Sequence, residues 1–476
     1  MKRSMFNLSH EHKLNVDMGT LIPVYTDEVL PGDTFIHSAS ALARVAPLAH
    51  PLMHRCEMRM HTFYCPNRVL YDEIEDERGT SNRFKWEDFI TGENDTTPKP
   101  TFTTGVTEPL LDHMGIPPRA GVVIDSAPIA LYNYVWNEFY RDQNLQLKRS
   151  LEDSTIANIC WQKDYFTVAR PDTQQGESTE IPFSAGTIPI ISENNHAVVT
   201  DRYAPTQNNS PDPDSSVPGF NWRFDNIAAD MSNSTAGISI DDLRLSIRLQ
   251  RFAEARMRWG SRYVDYLRYL GVNPSDGRLD RPEYLGGGKD ILNFSEVLTT
   301  AEGASTQPGE MFGHGIGLGR QSTFRKMFEE HGWVMTFLSI RPKTVYQNAF
   351  PKKFVRHDVM GYWQKELEGL PWQELTEQEV HIDGSPDTIF GYVPKYEEYR
   401  HHMSHVSGTF RGGTENDWHM AREFQTPPAL NGSFVECTPT DRIYQDANMP
   451  NLMMNCIFNI KAARLVGATA SMGMGL

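Results

Sequence analysis

The sequence predicts a mainly β protein, a large antiparallel sandwich interrupted by long loop and helical insertions. Three observations carry that prediction: apolar and polar residues alternate near both ends of the chain, a denser apolar run lies between them, and turn-forming residues are frequent. In 53–64, Cys56, Met58 and Met60 fall on one side of an extended strand and Arg55, Glu57, Arg59 and His61 on the other. That period of two belongs to a half-buried strand. Residues 333–340 form a more continuous apolar run, as a strand covered on both faces does. Near the end, Met454, Cys456, Phe458 and Ile460 alternate with Asn455, Asn459 and Lys461. With 35 Gly and 30 Pro, the chain has the turn chemistry for long loops around this core. Strands close to both termini suit a sandwich whose first and last strands are neighbours.

A chain of 476 residues could hold about three average domains, yet no linker separates independent cores, so 1–476 is read as one subunit with insertions. No run of eighteen apolar residues exists, which excludes a membrane-spanning helix by length. After Met1-Lys2-Arg3-Ser4 the chain passes to Asn7, His10, Glu11 and Lys13 without the apolar stretch of a secretory signal, so synthesis and assembly in a cytosol are expected. Cys56, Cys65, Cys160, Cys437 and Cys456 are too few and scattered for a disulfide framework. Cys56 and Cys65 on one strand would sit roughly 30 Å apart, so free buried thiols are expected. The net charge of −16 argues against a protein that coats nucleic acid with its whole surface, although it permits one basic face.

Two aromatic segments stand out. In 130–146 a helix is expected, with Ser126 as its cap, Pro128 early, and Ile129, Tyr132, Trp136 and Tyr140 at helical spacing. Segment 161–176 reads as an extended piece entering a turn at Arg170-Pro171. The strongest helix is expected over 241–270. There Leu245, Leu249, Phe252, Ala255, Trp259, Tyr263, Tyr266 and Leu270 form an apolar stripe that packs, beside arginines 244, 248, 251, 258 and 262. Those arginines require partners: acidic loops of the same or neighbouring subunits, or phosphate. Residues 193–237 turn abruptly polar and rich in turn formers, the composition of a long surface loop.

Enzymatic chemistry is poorly represented. Residues 313–319 (GHGIGLG) lack the Gly-Lys-Ser/Thr ending of a phosphate loop and read as a flexible connector. His401, His402 and His405 follow an aromatic stretch without zinc-hydrolase spacing, so surface or interface histidines are expected there, and no metal or cofactor. No Gly-x-Ser-x-Gly elbow is present.

The order of residue types is more informative than any single site. Tyr140-Arg141-Asp142-Gln143-Asn144-Leu145, Asp164-Tyr165-Phe166-Thr167 with Arg170-Pro171, Arg258-Trp259-Gly260, and Asp280-Arg281-Pro282-Glu283-Tyr284-Leu285-Gly286-Gly287 follow one another along the chain. So do Glu330-His331-Gly332, Arg341-Pro342, Tyr346-Gln347 and Glu398-Tyr399-Arg400. This series closely resembles the major capsid proteins of the Microviridae, the small single-stranded-DNA bacteriophages, in particular their gokushovirus-like branch. It departs at Asp172, where the family usually has Trp. The resemblance implies a viral single jelly roll, an eight-stranded antiparallel β-sandwich with insertions, and no catalysis. It implies a sixty-copy T=1 icosahedral shell around a circular single-stranded DNA genome, aided by a small basic DNA-packaging protein and a pilot protein. Trp136, Tyr140, Arg141, Tyr165, Phe166, Arg244, Arg248, Arg251, Arg258 and Arg262 are then the candidates for subunit interfaces, and Lys2 and Arg3 for contact with DNA. The 193–237 insertion, with Asn208, Asn209, Asp212, Asp214 and Trp222, becomes a surface protrusion that meets a host-surface receptor. A rival of another class, a carbohydrate-active β-sandwich enzyme, rests on abundant Trp, Tyr and acidic residues and requires two convergent carboxylates.

Overall fold

The structure, a computed structural model, describes residues 3–79, 83–93, 97–176, 190–192, 227–229, 240–260, 262–300, 307–446 and 448–467. The chain divides into two units, Met1–Thr173 with Trp259–Leu476, and Gln174–Arg258.

The first unit is built on ten antiparallel strands: β1 (Ser4–Asn7), β2 (His10–Val16), β3 (Leu21–Val29), β4 (Thr34–Val45), β5 (Cys56–Pro66), β6 (Glu283–Leu298), β7 (Met311–Arg320), β8 (Phe324–Met327), β9 (Gly332–Pro342) and β10 (Leu452–Arg464). They follow the order β1, β10, β4, β7, β6, β5, β9, β3. β2 takes the half of β10 that β1 leaves open, and β8 does the same on β4. The result is eight lanes, the eight-stranded antiparallel arrangement expected of a jelly roll. The expected neighbouring of first and last strands holds, with Ser4 opposite Arg464.

β6 makes the sandwich continuous. Its first part, Glu283 to Leu292, pairs with β5, and its second, Asn293 to Leu298, pairs with β7. One long strand therefore belongs to both sheets and turns the corner between them. Inside, Leu452, Met454, Cys456, Phe458 and Ile460 of β10 and Phe35, Ala39, Ala41 and Ala43 of β4 face Met58 and Met60 of β5 and Val334, Leu338 and Ile340 of β9 in one core. Each large side chain buried there contributes about 1.5–3 kcal/mol.

Residues 313–319 are a correction. They are not a connector but the middle of β7, with the glycines buried and His314, Ile316 and Leu318 outward. A Cβ on Gly317 would lie 2.2 Å from Leu292 Cδ2, and one on Gly319 2.5 Å from Met58 Cε. The missing side chains make room for larger ones opposite, so the period of two is present once Gly counts as an inward residue.

The outer face of β5 and β9 is also covered, by the helices Asn67–Arg78 and Ala127–Val135, which bury Phe63, Cys65, Met335 and Phe337 against Leu70, Tyr71, Leu131 and Tyr132. This second layer is why 333–340 is apolar on both sides. A third core, with Tyr165, Phe166, Tyr346, Phe390 and Phe434, lies beside the hairpin of Trp372–Thr376 and Ile389–Pro394. All five cysteines are free thiols, and burial pushes Cys56 and Cys456 up to about 12.

In the second unit, Ile190–Ser192 pairs antiparallel with Ile227–Ala229. The helix expected over 241–270 is two: Ile240–Trp259, which but for its last residue belongs to the second unit, and Tyr263–Tyr269, which belongs to the first. Gly260 breaks it at φ +113°, where a Cβ would stand 2.5 Å from Asp265 Oδ2. The stripe that was expected to pack is largely outward: Leu245, Leu249, Phe252, Trp259, Tyr263, Tyr266 and Leu270 are exposed.

His37 of β4 is fully buried against Tyr25, Phe324 and Phe458, and neither ring nitrogen has a hydrogen-bond partner among the described residues. Burial, with a smaller contribution from His10, pushes it down to about 4 from an ordinary 6.5. Between those values the unfolded chain binds the proton and the folded chain does not, so stability falls as pH drops from about 6.5 towards 4. The loss from this one group is on the order of 2–3 kcal/mol at pH 4.5. Urea unfolding of the unassembled subunit at pH 7.5 and 4.5 should show a smaller acid loss for His37→Phe than for the wild type; equal losses would contradict it.

Candidate functional site

The two aromatic segments meet in the first unit. Helix Ala127–Val135 runs into a π-turn, Trp136–Tyr140. Ser126 does not cap it; its Oγ donates to the Pro100 carbonyl, and Asp125 Oδ1 accepts from the Ala127 N–H at 3.0 Å instead. Tyr132 donates to the Leu21 carbonyl and accepts from the Ala157 N–H, both at 2.8 Å, which ties the helix to β3. Trp136 Nε1 donates to the Asn158 carbonyl, and the Tyr140 hydroxyl lies 2.7 Å from His61 Nδ1. The aromatic face is thus turned onto β5 and β9.

Asp142 is the node that joins the segments. Its buried carboxylate meets Lys163 and, at 3.4 Å, Arg170. Burial pushes this carboxyl up, but the two cations and the Asn144 N–H outweigh it and hold it below the usual range. Asp164 then closes a tight turn by accepting from the Phe166 and Thr167 N–H groups and from the Tyr346 hydroxyl at 2.9 Å. Arg422 anchors the third core, with its guanidinium 4.4 Å from the Phe434 ring and 5.2 Å from Trp161.

The Arg-Pro-Glu-Tyr-Leu-Gly-Gly string lies at the start of β6. Arg281 is buried, 4.4 Å over the Phe139 ring and paired with Asp276. Glu283 holds Lys326 at 2.7 Å, Tyr284 packs on Phe63, and the register slips between Tyr284 and Gly286. A Cβ on Gly288 would sit 1.8 Å from the Arg320 carbonyl oxygen, so the backbones of β6 and β7 approach where only glycine fits.

Comparison with known proteins accounts for these motifs together. A family model described as Capsid protein (F protein) matches residues 1–474. Capsid protein VP1 of Bdellovibrio phage phiMH2K is 30% identical, over 92% of this chain and 89% of that protein. Capsid protein VP1 of Chlamydia phage 1 is 28% identical, over 98% and 94%, and that of Spiroplasma virus 4 is 25% identical, over 97% and 93%. The chain belongs to the phage F capsid protein family. It is a phage major capsid protein, a structural component of the virion that assembles into a capsid, and the glycan-cleaving alternative has no support.

In this capsid protein the aromatic interface candidates lie within the subunit. Trp136, Tyr165 and Phe166 are 5%, 4% and 0% exposed and belong to the chain's own cores, and Tyr140 is half-buried on His61. They stabilise the subunit from within, because closing the second and third layers required apolar surface on these segments. Arg262 is also spent internally, donating to the Asn137 and Glu138 carbonyls, and Arg141 donates to the Gln146 carbonyl at 2.9 Å. Arg244, Arg248, Arg251 and Arg258 do stand exposed on their helix. Arg3 is exposed, with Nη1 3.3 Å from Thr34 Oγ1. Lys2, Asn208, Asn209, Asp212, Asp214 and Trp222 lie outside the described residues, as does nearly all of 193–237. Among the described residues, no three His, Cys, Asp or Glu side chains gather as a metal site would require. Sequence reading missed Arg422 and the Asp142 node, whose partners lie far apart in the chain.

Gly288→Ala should lower subunit stability by about 1–3 kcal/mol, because the clash is with backbone and not with a movable side chain. Gly277→Ala, which meets nothing within 4 Å, should change it little. Denaturant midpoints of both variants check the pair, and equal midpoints would contradict the close approach.

Proposed function

We propose that sixty copies of this subunit close into a T=1 icosahedral shell around a circular single-stranded DNA genome, assembled in the cytoplasm of a bacterial host. The observation that carries the reading is the family match over residues 1–474 on an intact jelly roll. Supporting it, the single chain leaves Leu249, Phe252, Tyr263, Tyr266 and Leu270 exposed, apolar area that a free monomer would not keep in water. Closure by rotation needs the same surfaces to meet at five-, three- and two-fold axes, and each contact can be weak because a subunit makes several at once. The arginines of helix Ile240–Trp259 pair with acidic neighbours in this scheme, so subunit association weakens with salt. A chain of net charge −16 neutralises little DNA, so a small basic packaging protein supplies counter-charge, and a pilot protein delivers the genome. The 193–237 insertion forms the protrusion that contacts a host-surface receptor.

Expressed with its packaging partner, the protein should yield uniform particles whose mass, by native mass spectrometry or light scattering, corresponds to sixty subunits and which protect single-stranded DNA from nuclease. A persistent monomer would overturn the proposal. Phe252→Asp should abolish particles while leaving the subunit's thermal melt unchanged; particles at wild-type yield would remove that helix from the interfaces. Deleting residues 208–218 should preserve shell yield but reduce adsorption to host cells, and unchanged adsorption would count against the receptor role.

A further inference from the structure

One cavity of the first unit is not used by anything described above. It has a volume of about 420 Å³, within the size range of small-molecule sites. Its permanent cations are Lys352, Lys353, Arg356 and Arg411, and Phe350 and Phe354 give it aromatic walls. His401, His402 and His405 line the same space, and Glu398 is the sole acidic side chain among the described lining residues. In a chain with sixteen more acidic than basic groups, this concentration of positive charge is a local reversal.

The charges are not all spoken for. Glu398 is engaged by Arg356 at 3.2 Å and by Gln373 at 2.5 Å, and Lys352 by Glu379 at 3.4 Å. Lys353 lies 5.0 Å over the Phe354 ring, and Arg411 donates to the Val406 carbonyl. Neither is paired with a carboxylate among the described residues. Arg356 is 9% exposed, and its Nε–H finds no acceptor among the described residues. Phe354, 62% exposed, stacks on Phe350 at 6.2 Å. Beyond the rim, Tyr362, Trp363 and Tyr399 are exposed aromatics, with Arg356 held 4.4 Å over Tyr399.

Cations that match phosphate, interleaved with flat apolar faces that match bases, are what single-stranded nucleic acid requires. A duplex hides its base faces, whereas a single strand offers them for stacking. We propose that this cavity binds a nucleotide of single-stranded nucleic acid, with the phosphate on Lys353 and Arg411 and the base on Phe354. The assignment rests on the reading of the chain as a shell around single-stranded DNA, and gives that acidic subunit a specific place to hold the genome.

The test uses the full-length subunit and a fluorescein-labelled twelve-residue oligothymidylate, followed by anisotropy at several salt concentrations. Lys353→Ala with Arg411→Ala alters two exposed side chains and should weaken binding at least tenfold. It should also reduce the slope of log affinity against log salt by about 1.4. Phe354→Ala should weaken binding about tenfold with the slope unchanged, because stacking releases no counterions. Wild-type affinity in the double variant would overturn the proposal. So would unchanged affinity in Phe354→Ala together with full displacement by inorganic polyphosphate, which would mark a bare anion site. Equal binding of an acidic peptide, lost in the same variants, would make the site one for protein and also sink it. Particles of the double variant that package DNA as the wild type does would remove the cavity's role and leave the shell reading intact. Failure of the wild type to form particles would instead strike the shell reading itself.

Discussion

The strand pair β5 and β9 is covered on both faces, and the remainder of the subunit is organised by that constraint. Its inner face closes the sandwich against β10 and β4, and its outer face must be sealed by something else. The helices Asn67–Arg78 and Ala127–Val135 provide the seal, and the loop from Arg141 to Arg170 has to be pinned so that they stay in place. Asp142, buried between Lys163 and Arg170, is that pin. Removing one partner would leave an uncompensated charge in a dry setting, which is why such nodes tolerate little change.

The same constraint explains what could be read directly from the chain. Alternation at 454–461 was legible because β10 faces one core, that at 53–64 because Arg59 and His61 stay only partly covered between Met58, Met60 and Thr62, and the dense run at 333–340 because β9 is covered twice. The neighbouring of the terminal strands followed from their positions alone. β7 was not legible, since glycine signals a turn in any local reading and its role depends on Leu292 and Met58 opposite. The helix over 241–270 was legible in type but not in extent, because Gly260 acts through a backbone conformation and not through hydrophobic pattern.

Function divided along similar lines. Motif order identified the family over most of the chain, whereas the placement of Trp136, Tyr165 and Phe166 within the subunit's own cores was not legible. Aromatic density is a signal of burial without direction: Trp136 and Phe166 are equally apolar whether they face a neighbour or their own core. The basic lining at Lys353 and Arg411 escaped notice for the opposite reason. Its two halves, 349–356 and 398–411, are ordinary polar loops until the fold sets them around one space.

The lane occupied by β10 has a further consequence for how the subunit is made. β10 lies between β4 on one side and β1 with β2 on the other, so β1 and β2 are joined to β4 in the sheet only by a strand that begins at Leu452. During synthesis the N-terminal strands wait with open edges while the ribosome makes nearly everything else, the long-range pairing that slows folding. Closure is therefore a late event, and a chain stopped before β10 keeps an empty lane between β4 and the pair β1 and β2. The fold carries its own check on completeness: only a polypeptide translated to that last strand can present finished surfaces to its neighbours.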